Sequence, residues 1–274
     1  MSPGSHVHRS PLPGGVALVT GATGGIGQAI ARALAAHGAS LILTGRRVEA
    51  LEGLAAELDA RPLACDLSSR DEVAALAREA VAAHADVLVA NAAVPASGRL
   101  TELSQEEIDR MLEINLRAPV ALARALVPGM VDRGRGHLVF ISSLQGKAAV
   151  PASSLYSAAK FGLRGFALGI RQDLTADNIG VSTIFPGFIR DAGMFAETGV
   201  SLPPGVGTRS PQDVAAAVIK AIDENRAELD VAPLTMRLGT AFSGLAPGPA
   251  AAISRRMGSH EIAASVAERQ RSYR

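Results

Sequence analysis

The chain has 274 residues, 48% of them apolar, and sets 27 basic against 26 acidic side chains for a net charge of +1. That length suits one large α/β domain or two small ones with a sizeable core, and a balanced charge without a basic block argues against nucleic acid as a partner. The single cysteine, Cys65, excludes a disulfide framework and a cysteine-rich zinc site and fits a reducing compartment.

Residues 1–15 are rich in Pro, Gly, Ser and His without an apolar segment. They read as a disordered lead-in and do not resemble a signal peptide. Short runs of Val, Ile and Leu then alternate with Ala-rich amphipathic stretches. Strands are expected at Val16 to Thr20, Ser40 to Thr44, Arg61 to Ala64, Asp86 to Asn91, His137 to Ser142, Val181 to Phe185 and Glu228 to Val231. Helices are expected at Ile26 to His37, Glu49 to Leu58, Asp71 to Ala83, Gln105 to Met130, Ser154 to Thr175 and Asp213 to Glu224. Continuous apolar strands joined by helices predict an α/β fold, a parallel sheet covered on both faces. The alternation runs unbroken over 16–232, which predicts one domain. A mixed apolar and flexible stretch at 188–210 reads as a lid over a site. The tail, 233–274, reads as a helical extension that covers the domain, builds an oligomer contact or touches a membrane surface. The membrane ranks last, because Pro247 and Pro249 interrupt its only apolar portion. No apolar run reaches the ~20 residues needed to span a bilayer, so the expected location is cytoplasmic.

Two motifs carry chemistry. The first, Thr20-Gly21-Ala22-Thr23-Gly24-Gly25-Ile26-Gly27, lies between an expected strand and an expected helix. Gly21 allows a tight turn, Gly25 lets backbone approach a pyrophosphate, and Gly27 lets the helix pack on the strand. Helix N-terminal amides then face the anion. The second is Tyr156-Ser157-Ala158-Ala159-Lys160, with one of only two tyrosines in the chain. Its tyrosine and lysine share one helix face, and a nearby ammonium lowers a phenol's pKa toward working pH. Taken alone, such a pair is ordinary on a surface helix.

These motifs do not stand alone. Gly21-x-x-x-Gly25-x-Gly27, Asn91-Ala92-Ala93, Asn115, Ser143, Tyr156-x-x-x-Lys160 and Pro186-Gly187 occur in an order and spacing that resemble the short-chain dehydrogenase/reductase family. The resemblance covers Val16 to about Val231. It implies a Rossmann-like doubly wound sheet and an NAD(P)-dependent oxidoreductase interconverting a carbonyl and a secondary alcohol. It implies a catalytic set of Asn115, Ser143, Tyr156 and Lys160. Ser143 is preferred over Ser142 because the family's serine stands thirteen residues before its tyrosine. Ser143 would bond the substrate oxygen, Tyr156 would exchange a proton with it, and Lys160 would bind the nicotinamide ribose and depress the Tyr156 pKa. Asn115 resembles the residue that holds a water linking Lys160 to solvent.

The same resemblance places the cofactor against Gly21, Thr23, Gly25, Ile26, Gly27, Arg46, Asp66, Leu67, Asn91, Ala92, Tyr156, Lys160, Pro186, Gly187 and Ile189. Asp66 matches the residue that bonds the adenine amine, with an N-cap or turn aspartate as its alternative reading. Where NAD-preferring folds carry a carboxylate after the second strand, this chain has Arg46, which can pair with a 2′-phosphate. NADP(H) is therefore favoured, with NAD(H) as the alternative. Arg47 reads as a solvated helix-start residue or a second phosphate contact. Relatives often carry a threonine four positions past the glycine of Pro186-Gly187; Asp191 stands there, as an amide acceptor or a helix cap.

Gln145, Phe188, Met194 and Phe195 are expected to border the substrate under the lid. The six histidines lack ligand spacing, and no metal is expected. The partners expected are a small carbonyl or alcohol substrate and a second or further copies of the chain, forming a homodimer or homotetramer through the long helices. A 3-ketoacyl-carrier-protein reductase is the runner-up, although the tail departs from that shorter-chained subgroup. A non-catalytic NADP(H)-binding sensor or structural protein is the alternative from another class. A membrane-associated reductase acting on lipids or steroids is the third.

Overall fold

The computed structural model describes residues 10–196, 199, 207–256 and 268–269. Its strands are β1 (Val16–Thr20), β2 (Ser40–Gly45), β3 (Arg61–Ala64), β4 (Val87–Ala90), β5 (Gly136–Ile141), β6 (Ile179–Pro186) and β7 (Glu228–Val231). All pair in parallel, in the order β3-β2-β1-β4-β5-β6-β7. The helices are α1 (Gly25–Ala36), α2 (Val48–Leu58), α3 (Arg70–Ala82), α4 (Gln105–Leu112), α5 (Ala118–Arg133), α6 (Ser154–Asp173), α7 (Gly193–Ala196), α8 (Pro211–Asp223), α9 (Leu234–Leu245) and α10 (Pro247–Arg256).

Successive strand residues point to opposite faces, and in the central strands both faces are buried. Ala17, Val19, Val87, Val89, Val139 and Ile141 meet apolar side chains of α1, α2 and α8, such as Ile30, Leu51 and Val218. Leu18, Leu88, Leu138 and Phe140 meet α3, α5 and α6 through Leu76, Leu122 and Leu163. The strand order reverses at β1 and β4, so the loops after these strands diverge. A crevice opens there at the carboxyl ends of the strands, where ligands bind in such sheets.

Two expectations change, and a third is refined. The lead-in is not loose throughout: residues 10–15 pack on the body. Leu12 is 1% exposed within the core, the Gly14 amide donates to the Gly38 carbonyl, and Arg135 donates to the Pro11 carbonyl. One large apolar side chain and its satisfied backbone hold this segment; residues 1–9 lie outside the described ones.

The single long helix expected from Gln105 to Met130 is α4 and α5 joined by a π-helical turn, Glu113–Arg117. Here the Ala118 amide bonds back to the Glu113 carbonyl. Pro119 follows and has no N–H, so the carbonyl of Asn115, four residues earlier, has no donor in the ordinary ladder. Pro119 was the signal for this break.

In the tail the chain breaks where expected, at Ala246, and Pro247 then opens a second helix, α10, since the first helical turn needs no proline N–H. Residues 257–267 and 270–274 lie outside the described ones.

Candidate active site

The glycine loop is shaped by contacts that no side chain could tolerate. Gly21 turns with φ of 64°, and a Cβ there would lie 2.8 Å from the Ala92 Cα. A Cβ on Gly27 would come within 2.2 Å of the Gly21 carbonyl oxygen, so α1 rests directly on the turn. Thr20 supplies a tie that sequence reasoning missed. Its Oγ1 accepts from the amides of Asn91 and Ala92, each at 3.0 Å. The Asn91 side chain donates to the Thr20 and Gly21 carbonyls at 3.0 and 3.2 Å. The ends of β1 and β4 are thereby locked together under the crevice. α1 starts at Gly24 without a side-chain cap or an acid in its first turn, leaving its amides for an anion.

A dinucleotide pyrophosphate fits this cradle, which only glycines can form. Thr23, Gly25 and Ile26 lie along it, and the chain after β6 comes down on it. A Cβ on Gly25 would lie 2.4 Å from the Ala192 Cβ, and one on Gly193 would lie 3.2 Å from Ile26.

Toward the expected adenosine end, Arg46 is exposed just past β2. Arg47 is not merely solvated: it precedes α2 and its guanidinium donates to the Thr23 carbonyl at 2.5 Å, bracing the glycine loop. Asp66 is not the cap of α3, which is Ser69 accepting from the Glu72 amide at 3.3 Å. Its Oδ1 accepts from the Ser68 amide and hydroxyl at 2.9 and 2.8 Å. Partial burial raises the Asp66 pKa, but these bonds and the charges of Arg46 and Arg110 outweigh it and hold the carboxyl below its usual range. Arg110, on α4, is a neighbour that sequence spacing gave no means of placing. Leu67 is buried beside Asp66. Burial, with Glu72 and Asp66 nearby, pushes the Cys65 thiol up to about 11, so it stays protonated and inert.

β5 and α6 bring the catalytic candidates together. β5 ends before Ser142 and Ser143, whose roles separate. The Ser142 hydroxyl donates to the Lys160 carbonyl at 3.2 Å and is buried, whereas Ser143 lies on the side of the Tyr156 phenol and acts to lower its pKa. Ser143 Oγ also accepts from the Gln145 amide at 3.2 Å, and the Gln145 side chain accepts from Ser157 at 3.3 Å. Tyr156 and Lys160 occupy the first turns of α6, 8% and 2% exposed. Lys160 Nζ lies 5.5 Å from the centre of the Tyr156 ring and donates to the Ile141 carbonyl at 2.9 Å.

The expected lowering of the Tyr156 pKa does not occur here. Burial raises it well above the ordinary phenol value, and Ser143 recovers only part. Lys160 is itself pushed down to about 8 by burial. Desolvation disfavours both charges, and the ammonium is spent on the Ile141 carbonyl.

Asn115, 1% exposed, sits in the π turn with its side-chain amide fully directed at one residue. It accepts from the Val94 amide and donates to the Val94 carbonyl, both at 2.8 Å. The side chain thus pins the loop after β4. Its backbone carbonyl lacks the ordinary i+4 donor, because Pro119 has no N–H.

The loop after β6 begins at Pro186, which pairs with Val231, and the Gly187 amide donates to the Val231 carbonyl at 3.0 Å. The stems of the 188–210 stretch meet where Ile189 bridges Arg209. Ile189 is 4% exposed and half-buried Phe188 precedes it. Met194 packs against the cluster of Ala96, Met111, Tyr156 and Ala159, so the start of this stretch borders the catalytic candidates. Phe195 lies in α7. Residues 197, 198 and 200–206 are outside the described ones. Asp191 adopts φ of 65°, with a side chain 75% exposed and 3.4 Å from Arg190.

A family model described as short chain dehydrogenase matches residues 15–200. The chain belongs to the short-chain dehydrogenase/reductase family. It is an oxidoreductase acting on CH–OH or C=O groups with a nicotinamide dinucleotide. Nodulation protein G of Rhizobium sp. (strain N33) is 44% identical over 185 residues, covering 66% of this chain and 76% of the relative. Ketoacyl reductase HetN of Nostoc sp. is 36% identical over 227 residues, covering 80% and 79%. Among solved structures of this family, a variant of actinorhodin polyketide ketoreductase with NADPH superposes with a TM-score of 0.74 at 31% identity, covering 80% of this chain and 96% of that one.

Proposed function

We propose that this enzyme is an NADP(H)-dependent reductase that interconverts a carbonyl and a secondary alcohol, with Tyr156 as its general acid and base. The burial of Tyr156 and Lys160 side by side, with Lys160 Nζ 5.5 Å from the phenol ring centre and Ser143 acting on that phenol, carries this reading. Ser143 orients the substrate oxygen toward the phenol. Tyr156 donates its proton to that oxygen in reduction and accepts it back in oxidation. A phenol held protonated by burial is loaded for the reductive direction at neutral pH. When bound, the reduced nicotinamide supplies the hydride. Lys160 holds the ribose side of the site and replenishes the tyrosine proton. The Asn115 carbonyl, without an i+4 donor, receives the water that joins Lys160 to solvent.

The preference for NADP(H) rests on exposed Arg46 after β2, where a 2′-phosphate finds a guanidinium and no carboxylate. The NADPH complex of the structural relative supports it. Self-association through α5 and α6 is supported by Phe161 and Leu168, 41% and 36% exposed, and by open space at Gly165 between them.

A β-ketoacyl thioester is the second substrate reading, favoured by the names of the ketoacyl and polyketide reductase relatives. A panel of ketones, ketoacyl thioesters and alcohols with NADPH and NADH, read at the nicotinamide absorbance, tests both readings. No turnover of any carbonyl or alcohol overturns the function, and a tenfold NADH preference overturns the Arg46 argument.

A further inference from the structure

α9 shows two unlike faces. Its inner side carries Met236, which packs on Leu144, Phe185 and Ala232. Its outer side carries Leu234, Leu238, Phe242 and Leu245, which are 64%, 63%, 45% and 88% exposed. Steps of four, four and three residues place all four in one narrow stripe. Ile253 on α10 adds a further apolar group, 50% exposed. Apolar surface gathered in this way marks an interaction site.

The charge around the stripe is one-sided. Between Val231 and Arg256 there is no Asp or Glu; Arg237 pairs with Asp230 at 3.7 Å, and Arg255 and Arg256 on α10 add positive charge, in a chain whose net charge is only +1. Leu residues and an aromatic on one side with arginines beside them are what an interfacial helix presents to lipid. Among the described residues no helix is long and apolar enough to cross a bilayer, so contact would be lateral. The break before Pro247 leaves α9, which carries the whole four-residue stripe, as an intact helix.

We propose that the outer face of α9 docks on the surface of an anionic lipid bilayer, its leucines and Phe242 in the acyl boundary and Arg255 and Arg256 of α10 at the headgroups. A second copy of the chain is the weaker occupant. An isologous contact would set Arg255 and Arg256 of α10 against their own copies, whereas anionic headgroups complement them.

Flotation of the full-length protein with vesicles of phosphatidylcholine, alone or mixed with phosphatidylglycerol, tests this. Binding is expected with phosphatidylglycerol and is expected to fall with added salt. The double variant Leu238→Glu/Phe242→Glu should bind about tenfold or more weakly, with turnover of a water-soluble carbonyl unchanged. Failure to float with either vesicle, or equal binding by wild type and double variant, overturns the proposal. A fall in oligomer mass in the double variant, without any vesicle binding by wild type, assigns the face to a second copy and also overturns it. Should the double variant not fold, Arg255→Gln/Arg256→Gln decides: an undiminished phosphatidylglycerol preference overturns the proposal, and a loss of about fivefold or more supports it.

Discussion

The two ends of the site are built in opposite ways. Tyr156, Lys160 and Asn115 are almost sealed from solvent, whereas Arg46, Arg47 and most of the Asp66 side are open to it. At the sealed end, burial dominates: it raises the phenol, lowers the ammonium and leaves every polar atom dependent on one or two fixed partners. At the open end, charges act through water and are screened by salt. The proposed catalysis relies on unscreened groups, and the proposed cofactor choice only on a cation of the right kind in the right place.

Substitutions at the two ends should therefore differ in size and in kind. Tyr156→Phe is expected to lower kcat by about a thousandfold, while the dissociation constant for NADPH, read by nucleotide fluorescence, changes little. A variant that retains full turnover would end the acid–base reading.

Lys160→Met should reduce turnover by about a hundredfold and yet make the fold more stable. The Lys160 pKa falls from 10.5 to about 8 on folding, so between these values the unfolded chain binds more protons and stability rises with pH. Below about pH 8 the buried ammonium is a burden of at most about 3 kcal/mol, which methionine removes. Tyr156, raised by burial, gives stability that is present below its ordinary value near 10 and lost above it. The gain from Lys160→Met should accordingly shrink from pH 7 toward pH 10 in denaturant titrations. A pH-independent difference would mean that the ammonium carries no such burden.

Smaller effects belong to the open end. Arg46→Ala should raise KM for NADPH about tenfold, with little change for NADH, and the difference should fade at high salt. Asp66→Asn should weaken either cofactor only a few-fold, because the amide keeps an acceptor for Ser68 but loses the charge. Equal losses for the two cofactors in Arg46→Ala would place the 2′-phosphate elsewhere.

How far the sequence disclosed this molecule depends on the range of the interaction concerned. Strands β1, β2 and β5 were legible because β-branched runs between glycine-rich turns have one use in such a chain. The glycine loop and the pairing of Tyr156 with Lys160 were legible because each is local. Contacts spanning distant positions were not: the Thr20 hydroxyl reaches Asn91, and Asn115 reaches Val94. Leu12 escaped notice because polar and turn residues surround it, and one side chain suffices to hold six residues. The direction of the Tyr156 shift was misread for a related reason. Spacing shows that a lysine is near a tyrosine, but burial of both depends on α4, α6 and α7 packing together. Pro119 was a visible signal, and reading it would have broken the long helix at the right place.

The contact between Ala192 and Gly25 has a kinetic consequence. The polypeptide that follows β6 sits on the turn proposed to receive the pyrophosphate, and Met194, two residues on, packs on the cluster that includes Tyr156. One segment therefore touches both compartments, and lifting it from the first also uncovers the second. Binding should then be sequential, with the dinucleotide first on and last off. Initial-velocity and product-inhibition experiments should show the oxidised dinucleotide competing with NADPH and the alcohol product not doing so.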